Sequence, residues 1–315
     1  MNTIEDTEEA DVLRDLNDTH ETEEFENDDE DAARKFENCS KNPGHDTFIT
    51  LETFSQDHLP ESHRSKVLYD CVKALAQMTV KISVKLVSSG RPRYHNSREY
   101  PYGKRHGSKI VRNGSGRIDF LAWHRDEKDL CPCSKCQEST SPSKTWMEIR
   151  VMTAKHVVFD DQEAKKAYCK LFYDDAGSPE VVVSGFGVYY EDMEKDRCLF
   201  KCATCEESLM QTLNANMDHF VQIWEKAHNK YKHHQAKRKL ICIVSHPHGH
   251  YKRVTVGHLD RARRSGQLYR QFFYSTPTCP GTSGAAVFVI GHSENLFYQH
   301  IHSGSDGLNF SGLAW

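Results

Sequence analysis

The sequence has no apolar run approaching the roughly 20 residues that a membrane-spanning helix needs. It has no basic start followed by an apolar stretch, so no secretory leader is visible. Basic residues are almost missing from its first tenth. Met1 to Asp31 carries fifteen Asp and Glu against one arginine, with few large apolar side chains. Such a segment cannot bury enough surface to offset its chain entropy, so residues 1–45 are expected to be an acidic disordered tail.

These absences constrain what remains. Eleven cysteines in a chain without a visible leader point to thiols or metal ligands rather than disulfides, and to a cytoplasmic or nuclear location. The formal net charge is −4, so the chain beyond the tail is net basic. Nothing in that balance requires nucleic acid as a partner, and no membrane partner is expected. The length suits one large domain or two small ones plus tails.

Helical spacing of Val67, Leu68, Cys71, Val72, Leu75 and Ala76 gives a lead-in over 46–77. In TVKISVKLVS, Val80, Ile82, Val84 and Leu86 alternate with Lys81, Ser83 and Lys85, which reads as a half-buried strand. Short β-rich runs follow to residue 205, separated by turn residues and by a loop containing LCPCSKC. Leu209, Leu213, Met217, Phe220, Val221 and Trp224 recur at three and four residues, predicting an amphipathic helix within an insertion at 206–239. That insertion or the acidic tail could engage a protein partner. Strands resume over 240–315. The pattern argues for barrels or a sandwich.

Chemistry concentrates in three places. Gly281-Thr282-Ser283-Gly284 stands in front of a strand, where glycines let a backbone approach closely and expose a nucleophile. Upstream, VMTAKHVVFDD brings His156 to a strand end, and EKDRCLF brings Asp196 to a strand start. Asp192 competes with Asp196; the apolar strand beginning directly after Asp196 favours the latter. Cys131, Cys133 and Cys136 form C-x-C-x-x-C, and Cys202 and Cys205 form C-x-x-C, a set from which a tetrahedral structural zinc could draw four ligands, with His124 as a local candidate. The alternative is free thiols. Cys39, Cys71, Cys169, Cys198, Cys242 and Cys279 lie in apolar patterns and read as core. A Pro-Gly turn accounts for the histidines of SHPHGH (245–250) better than a metal does.

The order TAKH, DRCLF, GTSG resembles that of the trypsin-like (chymotrypsin-fold) serine peptidases. GSGRIDFLA is similar to that family's strand before the histidine, ICIVSHPHGHYKRVTVGHL to a segment of the high-temperature-requirement branch, and IHSG (301–304) to a strand of the glutamyl-endopeptidase branch. The resemblance covers roughly residues 78–305. It implies an all-β fold of two six-stranded antiparallel barrels with helical additions, at 78–205 and 240–315. It implies a serine endopeptidase acting on polypeptides, without a catalytic cofactor. Ser283 would be the nucleophile, His156 the general base, Asp196 its orienting carboxylate, and the N–H groups of Gly281 and Ser283 the oxyanion hole. Pro277, Thr278 and His302 would line the specificity pocket; Thr278 with His302 resembles a glutamate-receiving pair, against which stands a purely structural His302. Lys155 is expected to face solvent. The alternative function is a catalytically inactive trypsin-fold binding or scaffold module.

Overall fold

The structure is a computed structural model that describes residues 19–234, 236, 238–265, 269–292, 296 and 299–314. The stretch 1–18 of the expected disordered tail lies outside the described residues.

The rest of that tail corrects the expectation. Thr19–His20 forms β1, Asp28–Glu37 forms α1, and Ile49–Thr50 forms β2. Helix α2 (Lys66–Met78) is capped by Ser65, whose hydroxyl accepts from the N–H of Leu68, and buries Leu68, Cys71, Val72 and Leu75. It runs directly into β3 (Thr79–Val84). A small hairpin, β4 (Tyr94–His95) and β5 (Arg98–Glu99), interrupts the loop that follows.

The first barrel is completed by β6 (Arg112–His124), β7 (Trp146–Thr153), β8 (Ala167–Leu171), β9 (Val181–Asp192) and β10 (Arg197–Thr204). Short helices α3 (Ser134–Gln137) and α4 (Asp161–Ala164) punctuate it. Its strands close in the order β10-β7-β6-β3-β8-β9, all antiparallel. Helix α5 (Glu207–Tyr231) then leads to β11 (Leu240–Ser245), β12 (Arg253–Ser265), β13 (Tyr269–Tyr274), β14 (Ala286–Val289), β15 (His300–Asp306) and β16 (Leu308–Ser311). These six close as β15-β14-β11-β12-β13-β16, because β16 also pairs back onto β15. Both expected six-stranded barrels are therefore present. Strands β1 and β2 are additions, on β15 and β12 respectively.

Helix α5 lies against α2 and buries Leu209, Leu213, Phe220, Ile223 and Trp224 in the same core as the first barrel. Its apolar face is thus used internally.

Strand β3 is buried on both faces, unlike the half-buried strand its alternation predicts. Helix α1 supplies the reason. Its Asp28 and Asp29 reach the fully buried Lys81 ammonium at 2.9 and 3.0 Å, and Asp28 also accepts from Ser83, Asn113 and Tyr168. Asp28 and Asp29 are counter-charges for the polar face of the barrel, and that pairing is what permits burial of Lys81.

Candidate active site

Each of three strand ends places one side chain in the cleft between the barrels. His156 sits in the turn after β7, Asp196 directly before β10, and Ser283 three residues before β14. Asp196 adopts φ 49°, a left-handed conformation that aspartate tolerates better than most residues. Its carboxylate takes the Nδ1–H of His156 at 2.8 Å and the His156 backbone N–H at 3.0 Å. Ser303, on β15, donates to the same carboxylate at 2.5 Å. Burial alone would raise the Asp196 pKa, but the charge and hydrogen bond of His156, then His20 and Ser303, bring it down to about 2. Asp192 is held elsewhere, by Lys195 at 2.8 Å.

The turn carrying His156 is held by charge that the sequence reading left unassigned. Glu163, fully buried, accepts the N–H groups of Ser88 and Phe159 and pairs with Arg91 at 2.6 Å and with Arg112. Arg91 in turn donates to the His156 carbonyl at 2.9 Å. Lys155 does not face solvent as expected: it is 3% exposed, bound to Glu191 at 2.5 Å. The Glu191 carboxylate neutralises it beside His156.

The Ser283 turn requires its glycines. Gly281 has φ +90°, and a Cβ there would lie 2.5 Å from the His246 carbonyl oxygen. Gly284 has φ +87° and packs on Thr153 and the Ser115 carbonyl. Ser115, the serine of the GSG stretch, staples this turn to the first barrel. Its hydroxyl donates to the Gly281 carbonyl and accepts the His246 N–H, each at 2.8 Å, and its own N–H donates to the Ser283 carbonyl at 2.8 Å.

Two closed six-stranded antiparallel barrels, the first carrying His156 and Asp196 and the second Ser283, decide the architecture. It is the chymotrypsin-type fold. No protein-family model matches this chymotrypsin-type chain, and no curated protein matches it. Among solved structures, the chain is similar to the HtrA-type protease AlgW with a decapeptide, at 13% identity and TM-score 0.41, over 79% of this chain and 64% of that one. It is similar to the same protease with a tripeptide at 13% identity and TM-score 0.40, over 79% of this chain and 60% of that one. The chain thus spans somewhat less than two thirds of the length of these structures.

The cleft holds the chain's own N-terminal segment. Strand β1 adds antiparallel to β15, with Thr19 opposite Ser305 and His20 opposite Gly304. The His20 ring lies 4.3 Å from that of His156. The carbonyl oxygen of Glu21 accepts from Ser283 Oγ at 3.2 Å. Among the described residues, His156 Nε2 is buried with no hydrogen-bond partner.

The Glu21 side chain enters a polar pocket. Its carboxylate accepts from His302 Nε2 at 3.0 Å and from Thr278 Oγ1 at 3.1 Å, and it pairs with Lys41. Burial opposes its charge, yet His302 and Lys41 bring its pKa down to about 2. Burial also lowers the pKa of His302 and raises that of Tyr274 well above its usual value. The Tyr274 hydroxyl lies 2.7 Å from His302 Nδ1 and 3.2 Å from the Phe310 carbonyl oxygen. Two of the three expected pocket residues, Thr278 and His302, therefore meet one carboxylate. Pro277 makes no polar contact with it. Asn309, which the sequence reading missed, accepts from Lys41 at 3.0 Å and offers the Thr278 hydroxyl an alternative acceptor at 2.8 Å.

The cysteine expectation divides. Cys131, Cys133, Cys136 and Cys205 bring their sulfurs within 4.8 Å of one another, a set that could hold a metal ion. Cys133 and Cys136 stand 3.8 and 3.6 Å from Cys205. Cys202 is not part of the set. It is one of the alternating inward residues of β10 and faces Cys169 across the barrel core at 3.9 Å. Nor is His124, which stacks on Trp146 and pairs with Asp129.

Proposed function

We propose that the chain is a serine endopeptidase that cleaves polypeptides after glutamate, and that its own Glu21–Thr22 bond is one substrate. The observation that carries this reading is the seating of residues 19–22. A peptide bound to such a cleft adds as an antiparallel strand and presents its scissile carbonyl to the nucleophile. Strand β1 does the first, and the Glu21 carbonyl, 3.2 Å from Ser283 Oγ, does the second.

Ser283 Oγ attacks the glutamyl carbonyl carbon while His156 Nε2 takes its proton. Asp196, held by Ser303, keeps the imidazole in the tautomer that leaves Nε2 free and stabilises the imidazolium. The Gly281 and Ser283 N–H groups receive the oxyanion. His156 then returns the proton to the Thr22 nitrogen as the Glu21–Thr22 bond breaks. Water, activated by the same histidine, releases residues 1–21. The site pairs a buried carboxylate with a neutral donor pair and one cation, so a glutamate side chain is the one it satisfies fully.

A second reading rests on one contact. The Ser283 hydroxyl donates to the Glu21 carbonyl, and His156 Nε2 has no partner among the described residues. A permanently occupied cleft would make the double barrel a binding module.

Intact-mass analysis of the purified chain, with Ser283→Ala in parallel, separates them. Expected is a wild-type product beginning at Thr22 and an intact variant, together with hydrolysis of fluorogenic peptides after Glu but not after Lys. An intact wild type that neither hydrolyses these peptides nor reacts with a fluorophosphonate probe would overturn the peptidase reading.

We also propose a structural zinc on Cys131, Cys133, Cys136 and Cys205. The sulfurs of a tetrahedral site with Zn–S about 2.3 Å stand roughly 3.8 Å apart, close to the spacings to Cys205. Four protein ligands leave no position for catalysis.

A further inference from the structure

Away from the nucleophile, four more side chains converge from distant parts of the sequence. Cys39 and His45 lie just after α1, His248 in the turn after β11, and Cys279 four residues before Ser283. All four are buried, and their sulfur and ring-nitrogen atoms lie within 4.8 Å of one another. Cys39 Sγ is 3.5 Å from Cys279 Sγ, and Cys279 Sγ is 3.4 Å from His45 Nε2. The two sulfurs are too far apart for a disulfide, whose bond is about 2.05 Å. They are at the spacing of neighbouring ligands around one tetrahedral ion, roughly 3.3–3.8 Å for Zn–N of about 2.0 Å and Zn–S of about 2.3 Å.

His248 provides an independent observation. Its Nδ1 lies 2.9 and 3.0 Å from the two carboxylate oxygens of Glu23, which places the proton on Nδ1. Nε2 is left with its lone pair, buried, and without a hydrogen-bond partner among the described residues. A buried nitrogen of this kind costs stability unless something accepts its lone pair. A carboxylate on the far ring nitrogen is also the arrangement that orients metal-binding histidines. Phe36 stacks on the His45 ring at 3.9 Å and fixes its plane. Asn42 directs its backbone N–H to Cys39 Sγ at 3.3 Å and its side-chain amide to Cys279 Sγ at 3.0 Å, which fixes both sulfurs.

We infer that Cys39, His45, His248 and Cys279 bind one zinc ion, at a site separate from the four-cysteine cluster. It is closed, with four protein ligands, and so structural. Its position gives it a consequence. Cys279 precedes the turn that carries Gly281 and Ser283, while Cys39 and His45 flank Lys41 and Asn42, which contact Glu21 and Thr278. The ion fastens the N-terminal strap to the loop that forms both the oxyanion hole and the glutamate pocket.

The test uses the full chain carrying Ser283→Ala, which keeps the strap attached, and does not depend on peptidase activity. Protein purified from zinc-supplemented medium and dialysed is assayed for zinc by mass spectrometry. Two equivalents are expected. Cys39→Ala and His45→Gln should each lower this to one, and Cys133→Ala should lower it to one by emptying the other site. Cobalt(II) loaded into the Cys133→Ala chain should give the weaker thiolate-to-metal absorption of two sulfurs rather than four. Retention of both equivalents in Cys39→Ala and His45→Gln would overturn the proposal. So would a parent chain holding no zinc, or a single equivalent that only Cys133→Ala removes.

Discussion

At the residue scale, the proposed selectivity for glutamate would turn on two hydrogen bonds to one carboxylate. Thr278 and His302 both contact the Glu21 carboxylate, and Tyr274 lies against His302 Nδ1. A hydrogen bond to a charged group contributes about 1.5–3 kcal/mol, or roughly 10- to 150-fold in a rate ratio. His302→Gln and Thr278→Val are therefore expected to lower kcat/KM for a glutamyl peptide by about 10- to 100-fold, with a much smaller change for the glutaminyl peptide. Parallel rate assays on the two peptides check this, and an equal loss on both would mean that the pocket is not read by charge. The proposed triad could be picked out because His156, Asp196 and Ser283 each occupy a short local pattern. Ser303 and Ser115 were not, since a serine in a strand looks like ordinary alternation until its partner, Asp196 or the Gly281 carbonyl, is brought up from far along the chain.

Among the elements, strands and long helices followed from periodicity, whereas the strap did not. Nothing in a run of Asp and Glu announces a partner; its meaning lies in Lys81 and Lys170, some fifty and one hundred and forty residues away. The same blindness hid the Glu163 cluster, whose Arg91 and Arg112 come from separate parts of the chain. Strand β16 escaped because it is four residues long and exists to close β13 onto β15. Of the expected zinc ligands, Cys202 failed because the period of β10 turns it into the barrel. Removing one member of a buried ionic cluster leaves the others uncompensated, at about 3–5 kcal/mol. Glu163→Ala would strand two buried guanidinium groups and is expected to lower the unfolding free energy by that much, read from urea denaturation. Because Arg91 also holds the His156 carbonyl, the same variant should lose labelling by a fluorophosphonate probe under conditions where it remains folded.

At the scale of the whole molecule, the buried histidines and the strap carboxylates act in the same direction with pH. His63 and His292 are brought down to about 4 by burial, and His300 is pushed well below its usual value by the same cause. Folded, they stay neutral; unfolded, they take up protons below about pH 6.5. The unfolded chain then binds more protons, so stability falls with acid from that point. Glu21 and Asp28 extend the loss. Burial would raise both, but His302 and Lys41 for the first, and Lys81 and Tyr168 for the second, bring them down to about 2. Their stabilisation is complete above their unfolded values, near pH 4.5 and below, and disappears as pH falls through about 2. Because Glu21 and Asp28 both belong to the strap, the second phase should be local as well as global. Urea midpoints of the Ser283→Ala chain are expected to decline steadily from pH 7 to pH 4. Amide exchange over residues 19–37 should then accelerate more than that of the barrel strands between pH 4 and pH 2.5. A midpoint that is flat from pH 7 to 4 would show that the histidines are not held neutral by burial. Uniform exchange in acid would show that the strap is not fastened by its carboxylates.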